Sequence, residues 1–197
     1  NVLTDRSFRV RLARITYEDT TGRDPVTRWG FFVEDDEDMA RRNGGQILDF
    51  RGVRMEESDT DHMGLVGIYQ YMIGNTDFSI PYLHNIKMVM RGAEFFPVPY
   101  DLDWAGLVDA RYARPDYRLN LRSVRDRLYR GQCLPSNVLV ETVGLFNQKR
   151  AEIEMLIQSV PGLDDGSRKW ATEYLEDFYE TVNDNRDVER EILRVCY

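Results

Sequence analysis

The most constraining stretch of this chain runs from Ser58 to Asn75. Ser58-Asp59-Thr60-Asp61 offers several helix N-caps, and Gly74-Asn75 offers a stop. Between them Met63, Leu65, Val66, Ile68, Tyr69, Met72 and Ile73 cover most of a helical circumference. A helix apolar nearly all round belongs inside a core, so the spacing predicts a buried helix from about His62 to Ile73 around which the rest must assemble. The same stretch holds the longest uncharged run, Met63 to Thr76. It is shorter than the roughly 20 residues a bilayer crossing needs, so no membrane span is expected.

The elements around that helix are of mixed type. Phe8, Val10 and Leu12 alternate with arginines, and the apolar parity then shifts to Ala13, Ile15 and Tyr17. This predicts a half-buried strand with a bulge. Trp29 to Val33 returns as its hairpin partner across a loop, residues 18–25. Five acids, Glu34 to Asp38, precede Arg41, Arg42 and Gly44, the polarity of a short helix with its macrodipole complemented. Ile86–Met90 and Phe95–Tyr100 read as a second hairpin. Pro97 and Pro99 place its second strand at a sheet edge. The final third is helical: Leu139, Val143, Phe146, Ile153 and Ile157 form one stripe, interrupted at Arg150, and Trp170, Tyr174, Phe178 and Val182 a second. The fold class is therefore α+β, mainly helical with two β-hairpins. Residues 1–136 are expected to form a core and 137–197 a helical extension packed on it.

Composition narrows function. Twenty-six basic against 34 acidic residues leave a net charge of −8, which argues against a nucleic-acid partner. The acids crowd the last helices, where a solvated face explains them. Arg9, Arg11 and Arg14 likewise read as a solvated strand face. Cys133 and Cys196 are too few for a disulfide framework, although a bridge between them would tie the last helix down. The chain starts at Asn1 rather than Met and reads as a fragment or processed form, so localisation is not legible.

Chemistry concentrates in Gly74-Asn75-Thr76-Asp77, in His84-Asn85 and in Pro99-Tyr100-Asp101-Leu102-Asp103. The buried helix delivers the chain to Asp77, and a tight hairpin should bring Asn85 beside Asp101 and Asp103, because ladder partners lie roughly 5 Å apart. Carboxylates and an amide oxygen without cysteine suit a hard cation such as Mg2+, and hence phosphoryl transfer. Each residue also has a plainer reading. Asp77 after Gly-Asn can cap a turn, His84 can be a structural hydrogen-bonder, and Asn85 can cap the loop–strand junction. The Asp101/Asp103 pair is the hardest to explain without a cation, since an extended strand would project both carboxylates to one side. Lys87 can pair with Asp77 rather than with a phosphate.

This helix–loop–hairpin–Asp order resembles the catalytic half of the protein-kinase-like superfamily, above all atypical members such as the CotH-type kinases and the aminoglycoside or choline phosphotransferases. The Gly-Asn-Thr-Asp, His-Asn and Pro-Tyr-Asp-Leu-Asp elements also resemble those of an uncharacterised bacterial family. The resemblance spans roughly residues 9–106. It implies a kinase-like C-terminal lobe with part of the N-terminal lobe, Mg2+ and ATP as cofactors, and a nucleotide and an acceptor as partners. It implies Asp77 as the catalytic base, and Asn85 with Asp101 or Asp103 as metal ligands. The strand ending at Glu34 would run beside the adenine, with Glu34 and Lys87 as nucleotide contacts. Two departures stand out. Asp77 and Asn85 are eight residues apart where the superfamily has five, and no Gly-rich phosphate loop or early-strand lysine is present. A non-catalytic kinase-fold binding module, and an Asp-x-Asp metal-dependent phosphodiesterase or nucleotide-sugar enzyme, are the alternatives.

Overall fold

A computed structural model describes residues 1–50 and 58–196. In chain order the elements are β1 (Val10–Tyr17), β2 (Val26–Val33), α1 (Asp36–Arg42), β3 (Gln46–Leu48), α2 (Thr60–Ile73), β4 (Ile86–Arg91), β5 (Glu94–Pro99), α3 (Ser136–Ser159), α4 (Asp165–Asn183) and α5 (Asn185–Val188), the last running into a π-turn at Glu189–Leu193. The architecture is α+β. Among the described residues no helix is long and apolar enough to cross a membrane.

The organising helix forms as its caps dictate. Asp59 accepts from the Asp61 and His62 amides at the N-terminus of α2, and Gly74 ends it in the left-handed region at φ 66°. Gly74 answers a second demand, because a Cβ there would run into the Tyr174 hydroxyl. One side of α2 supplies Ile68, Tyr71, Met72 and Ile73 to a core completed by Leu139, Phe146 and Ile153 of α3, by Leu175, Phe178, Tyr179 and Val182 of α4, and by Ile192. The helices after residue 136 thus share one apolar cluster with α2. Arg150, where the α3 stripe breaks, lies 4.6 Å over the Tyr179 ring and bonds Glu154 and Glu176, fastening α3 to α4. A disulfide joins Cys133 to Cys196.

The second hairpin belongs to a three-stranded antiparallel sheet of order β3-β4-β5, with β5 at the edge as its prolines require. Arg91 pairs with Glu94, leaving Gly92-Ala93 as a two-residue turn with positive φ at its first position. Both faces of this sheet are buried. Ile86 and Met88 meet Met63, Phe78 and Ile80, while Val89, Phe96 and Val98 meet Met39 and Ala40 of α1. The short helix α1 starts where the acid run predicts, with Asp35 as its N-cap. Strand β3 has no counterpart in the sequence reading.

The first hairpin departs from expectation twice. Its register runs without interruption from Val10↔Val33 to Tyr17↔Val26, so the parity shift marks no bulge. Nor is it half-buried. Val10, Leu12, Phe31, Phe32 and Val33 are each at least 41% exposed, and among the described residues β1 and β2 pair only with each other. The apolar set changes parity because neither face is committed to a core.

Candidate functional site

Three chain segments meet where α2 ends and the β4–β5 hairpin opens. The first is the loop after Gly74. Asn75, 1% exposed, accepts the Asp77 amide on Oδ1 at 2.9 Å and donates through Nδ2 to Gln70 Oε1 at 3.0 Å. The aspartate is therefore placed by an amide chain rooted in the buried face of α2. Arg130 donates to the carbonyls of Thr76 and Phe78, clasping the backbone on both sides of Asp77.

The second segment carries His84 and Asn85. Ser79 and His84 exchange backbone hydrogen bonds, so residues 79–84 form a closed excursion that absorbs the eight-residue spacing between Asp77 and Asn85. Asn85, 8% exposed, donates through Nδ2 to the Asp77 carbonyl at 2.8 Å and to Oδ2 at 3.0 Å. His84 Nε2 meets Asp77 Oδ1 at 3.0 Å. Each Asp77 oxygen thus has one partner and keeps a lone-pair site for another donor.

The third segment leaves β5. Ile86 pairs with Pro99, and the Tyr100 amide donates to the Asn85 carbonyl, which sets Asp101 next to Asn85 as the hairpin geometry predicts. The predicted means was different. Asp101 sits at φ 52°, so the backbone bends there and Asp101-Leu102-Asp103 is not an extended stretch that aligns two carboxylates. The carboxylates remain neighbours all the same. Partial loss of water raises the Asp101 carboxyl above its ordinary range, the Asp103 carboxyl raises it further, Asp77 adds to this and His84 opposes it. Tyr112 donates to Asp103 Oδ2 at 2.8 Å, and that bond raises the phenol.

Of the five non-glycine residues with positive φ among those described, Leu83, Asn85 and Asp101 stand at this corner. Left-handed backbone costs energy in a residue with a Cβ and persists where the surroundings over-determine it.

The two residues expected at a nucleotide are engaged by other side chains. Lys87 pairs with Asp36 of α1 at 2.6 Å and lies 5.2 Å from the Tyr100 ring centre, rather than pairing with Asp77. It alternates to the opposite side of β4 from Ile86 and Met88, and so meets α1. The Glu34 carboxylate is gripped by Arg42 at 2.7 and 2.8 Å and accepts the Arg9 amide at 3.0 Å, which ties β1 to α1.

Gln70, Arg130 and Tyr112 escaped the sequence reading as parts of the site, and Asn75 entered it only within the Gly74–Asp77 stretch, without a role of its own. A signal existed for Asn75, since an Asn two residues before an Asp is the pattern of an Asx-turn. Arg130 and Tyr112 lie in irregular chain, where no periodicity announces a partner.

The donor set of the corner is hard oxygen, and no lysine or arginine pairs with Asp77, Asp101 or Asp103 among the described residues. That chemistry fits Mg2+, which characteristically takes one or two carboxylates and completes its shell with water and phosphate. A fully protein-built cage is a different matter: among the described residues no three His, Cys, Asp or Glu side chains are grouped to hold a metal unaided. No family model matches the chain, and no curated protein or solved structure matches it either.

Proposed function

We propose that this chain is a phosphotransferase of kinase-like fold acting with Mg2+ and ATP on a hydroxyl-bearing acceptor. The observation that carries the reading is the convergence of Asp77, Asn85 and the Asp101/Asp103 pair at the open end of one hairpin, although 26 positions separate Asp77 from Asp103. Asp77 has the placement of a base. Its carboxylate is oriented by His84 and Asn85 and is 34% exposed, so it can accept the proton of an acceptor hydroxyl. Asn85 and Asp101 or Asp103 would hold the metal, which supplies charge neutralisation on the transferred phosphoryl group. What the chain itself contributes is orientation: the Gln70–Asn75 pair and Arg130 fix the Asp77 loop before any substrate arrives.

One observation favours a second reading, a kinase-fold binding module without catalysis. The side chains of Glu34 and Lys87 are engaged by Arg42 and Asp36, so neither reaches a nucleotide as the chain stands. Thermal unfolding with MgATP separates the two. At ten times Kd, the phosphotransferase reading expects Tm to rise by about 3–6 °C. Asp101→Ala should abolish the rise, and Asp77→Asn should keep binding while losing transfer of the γ-phosphoryl group. The absence of any shift at millimolar MgATP would move the assignment to the binding module.

A further inference from the structure

The chain between the candidate site and α3 has a charge unlike the rest of the molecule. Residues 111–130 hold seven arginines against two aspartates, a net of +5 in a chain whose total is −8. Apart from a single 3-10 turn at Tyr117–Leu119, the segment has no regular structure. Its arginines divide into two sets. Of the later ones, Arg127 and Arg130 fold inward while Arg125 stays exposed over the Trp170 ring: Arg127 donates to the Met72 and Tyr174 carbonyls and lies 3.7 Å over the Tyr174 ring, and Arg130 clasps the Asp77 loop. The earlier ones face water. Arg118, paired with Asp116, is 73% exposed and Arg122, 3.6 Å from Asp126, is 93% exposed, while Arg111, also exposed, has no carboxylate partner among the described residues.

Two attachments place the outward set beside the site. Tyr112, between Arg111 and Arg114, is hydrogen-bonded to Asp103. Arg130 and Arg118 both act on Asp116, so the start of the segment lies close to the residue that clasps the backbone around Asp77.

We infer that the outward arginines of residues 111–122 form a docking strip for an acidic polypeptide segment, which they hold across the Asp77 corner. The inference rests on the phosphotransferase reading for the fate of the docked chain, a neutral hydroxyl residue of which would face Asp77. Charge complementarity selects the occupant. The exposed arginines are spaced over residues 111–122 of irregular chain, which suits carboxylates spaced along an extended chain better than a single phosphate. A nucleic acid would carry its regular phosphate charge onward past Asp77, Asp101 and Asp103, where it is repelled. An acidic peptide can end its charge at the strip.

The test measures binding by fluorescence anisotropy at low salt, with the full chain and without nucleotide or metal. The probes are a labelled Asp/Glu-rich peptide containing serine, its Asn/Gln analogue, and oligothymidylate. The acidic peptide is expected to bind, the amide analogue not to, and added salt to weaken the complex. Arg111→Gln with Arg122→Gln should weaken binding by about threefold to tenfold, and Lys at both positions should retain it to within about twofold. Equal binding of the amide analogue, tighter binding of oligothymidylate, or an unchanged double variant would each overturn the inference. If the Gln variant melts early, the Lys variant and the salt dependence decide. Because no nucleotide is present, failure here leaves the MgATP shift untouched, and failure of that shift leaves peptide binding untouched.

Discussion

The two hairpins are built from similar residues and reach opposite ends. β1–β2 and β4–β5 are both antiparallel and both rich in branched and aromatic side chains. In the second, Ile86, Met88, Val89, Phe96 and Val98 are at most 1% exposed, because α2 and its loop cover one face, α1 the other and β3 one edge. In the first, Phe31 and Phe32 are 66% and 64% exposed, and among the described residues neither edge pairs with a further strand. Composition is therefore not what separates a framework hairpin from an exposed ribbon. What separates them is the connection: β4 and β5 follow a capped core helix through a loop of twelve residues clasped by Arg130.

Three measurements would sharpen or break this contrast. The largest effect belongs to Phe96→Ala, which removes a fully buried ring that Arg6 covers from 4.7 Å and His62 touches edge-on. It should cost about 3–5 kcal/mol in urea unfolding. A loss below about 1 kcal/mol would mean that this sheet is no more committed than the ribbon.

Next is acid. His62 is buried between α2 and β5, and desolvation pushes its imidazole down to about 4 although its Nε2–H donates to the Pro97 carbonyl at 2.9 Å. The unfolded chain takes up this proton near pH 6.5, well before the folded one. The neutral imidazole's contribution is therefore complete above pH 6.5, declines as the pH falls toward 4 and changes no further below that, a loss of at most about 3 kcal/mol. Thermal unfolding across this window should show the slope, and His62→Gln should flatten it. Asp59, which burial would raise but the His62 amide and Arg6 hold down to about 2, acts only at lower pH. The ribbon offers no buried titrating group to mimic the effect.

The smallest effect is expected in the ribbon. Phe31→Ala should change stability by no more than about 0.5 kcal/mol. A loss comparable to that of Phe96→Ala would show that Phe31 is covered in solution.

Much of the frame was legible because it rests on local chemistry. Asp59 and Gly74 bracket α2, Asp35 starts α1 behind its acid run, and Pro97 and Pro99 mark an edge. The meeting of Asp77, Asn85 and Asp101 was legible for the same reason, since a two-residue turn leaves a hairpin's ends no choice of neighbour. Side-chain destinations were harder. Lys87 goes to Asp36 because β4 is covered on both faces, and alternation alone does not say that a second face has a neighbour. The ribbon's exposure was hidden because a run such as Trp29-Gly30-Phe31-Phe32-Val33 has the same pattern buried or bare. Arg130 was invisible as a clasp because an arginine in irregular chain carries no period.

The bridge from Cys133 to Cys196 has a topological consequence. It encloses α3, α4, α5 and the π-turn in one covalent ring whose knot lies just past the arginine strip. The turn at Glu189–Leu193 cannot peel away independently of Cys133. While the sulfurs stay joined, these helices can only loosen as a closed hoop that is still moored at Cys133.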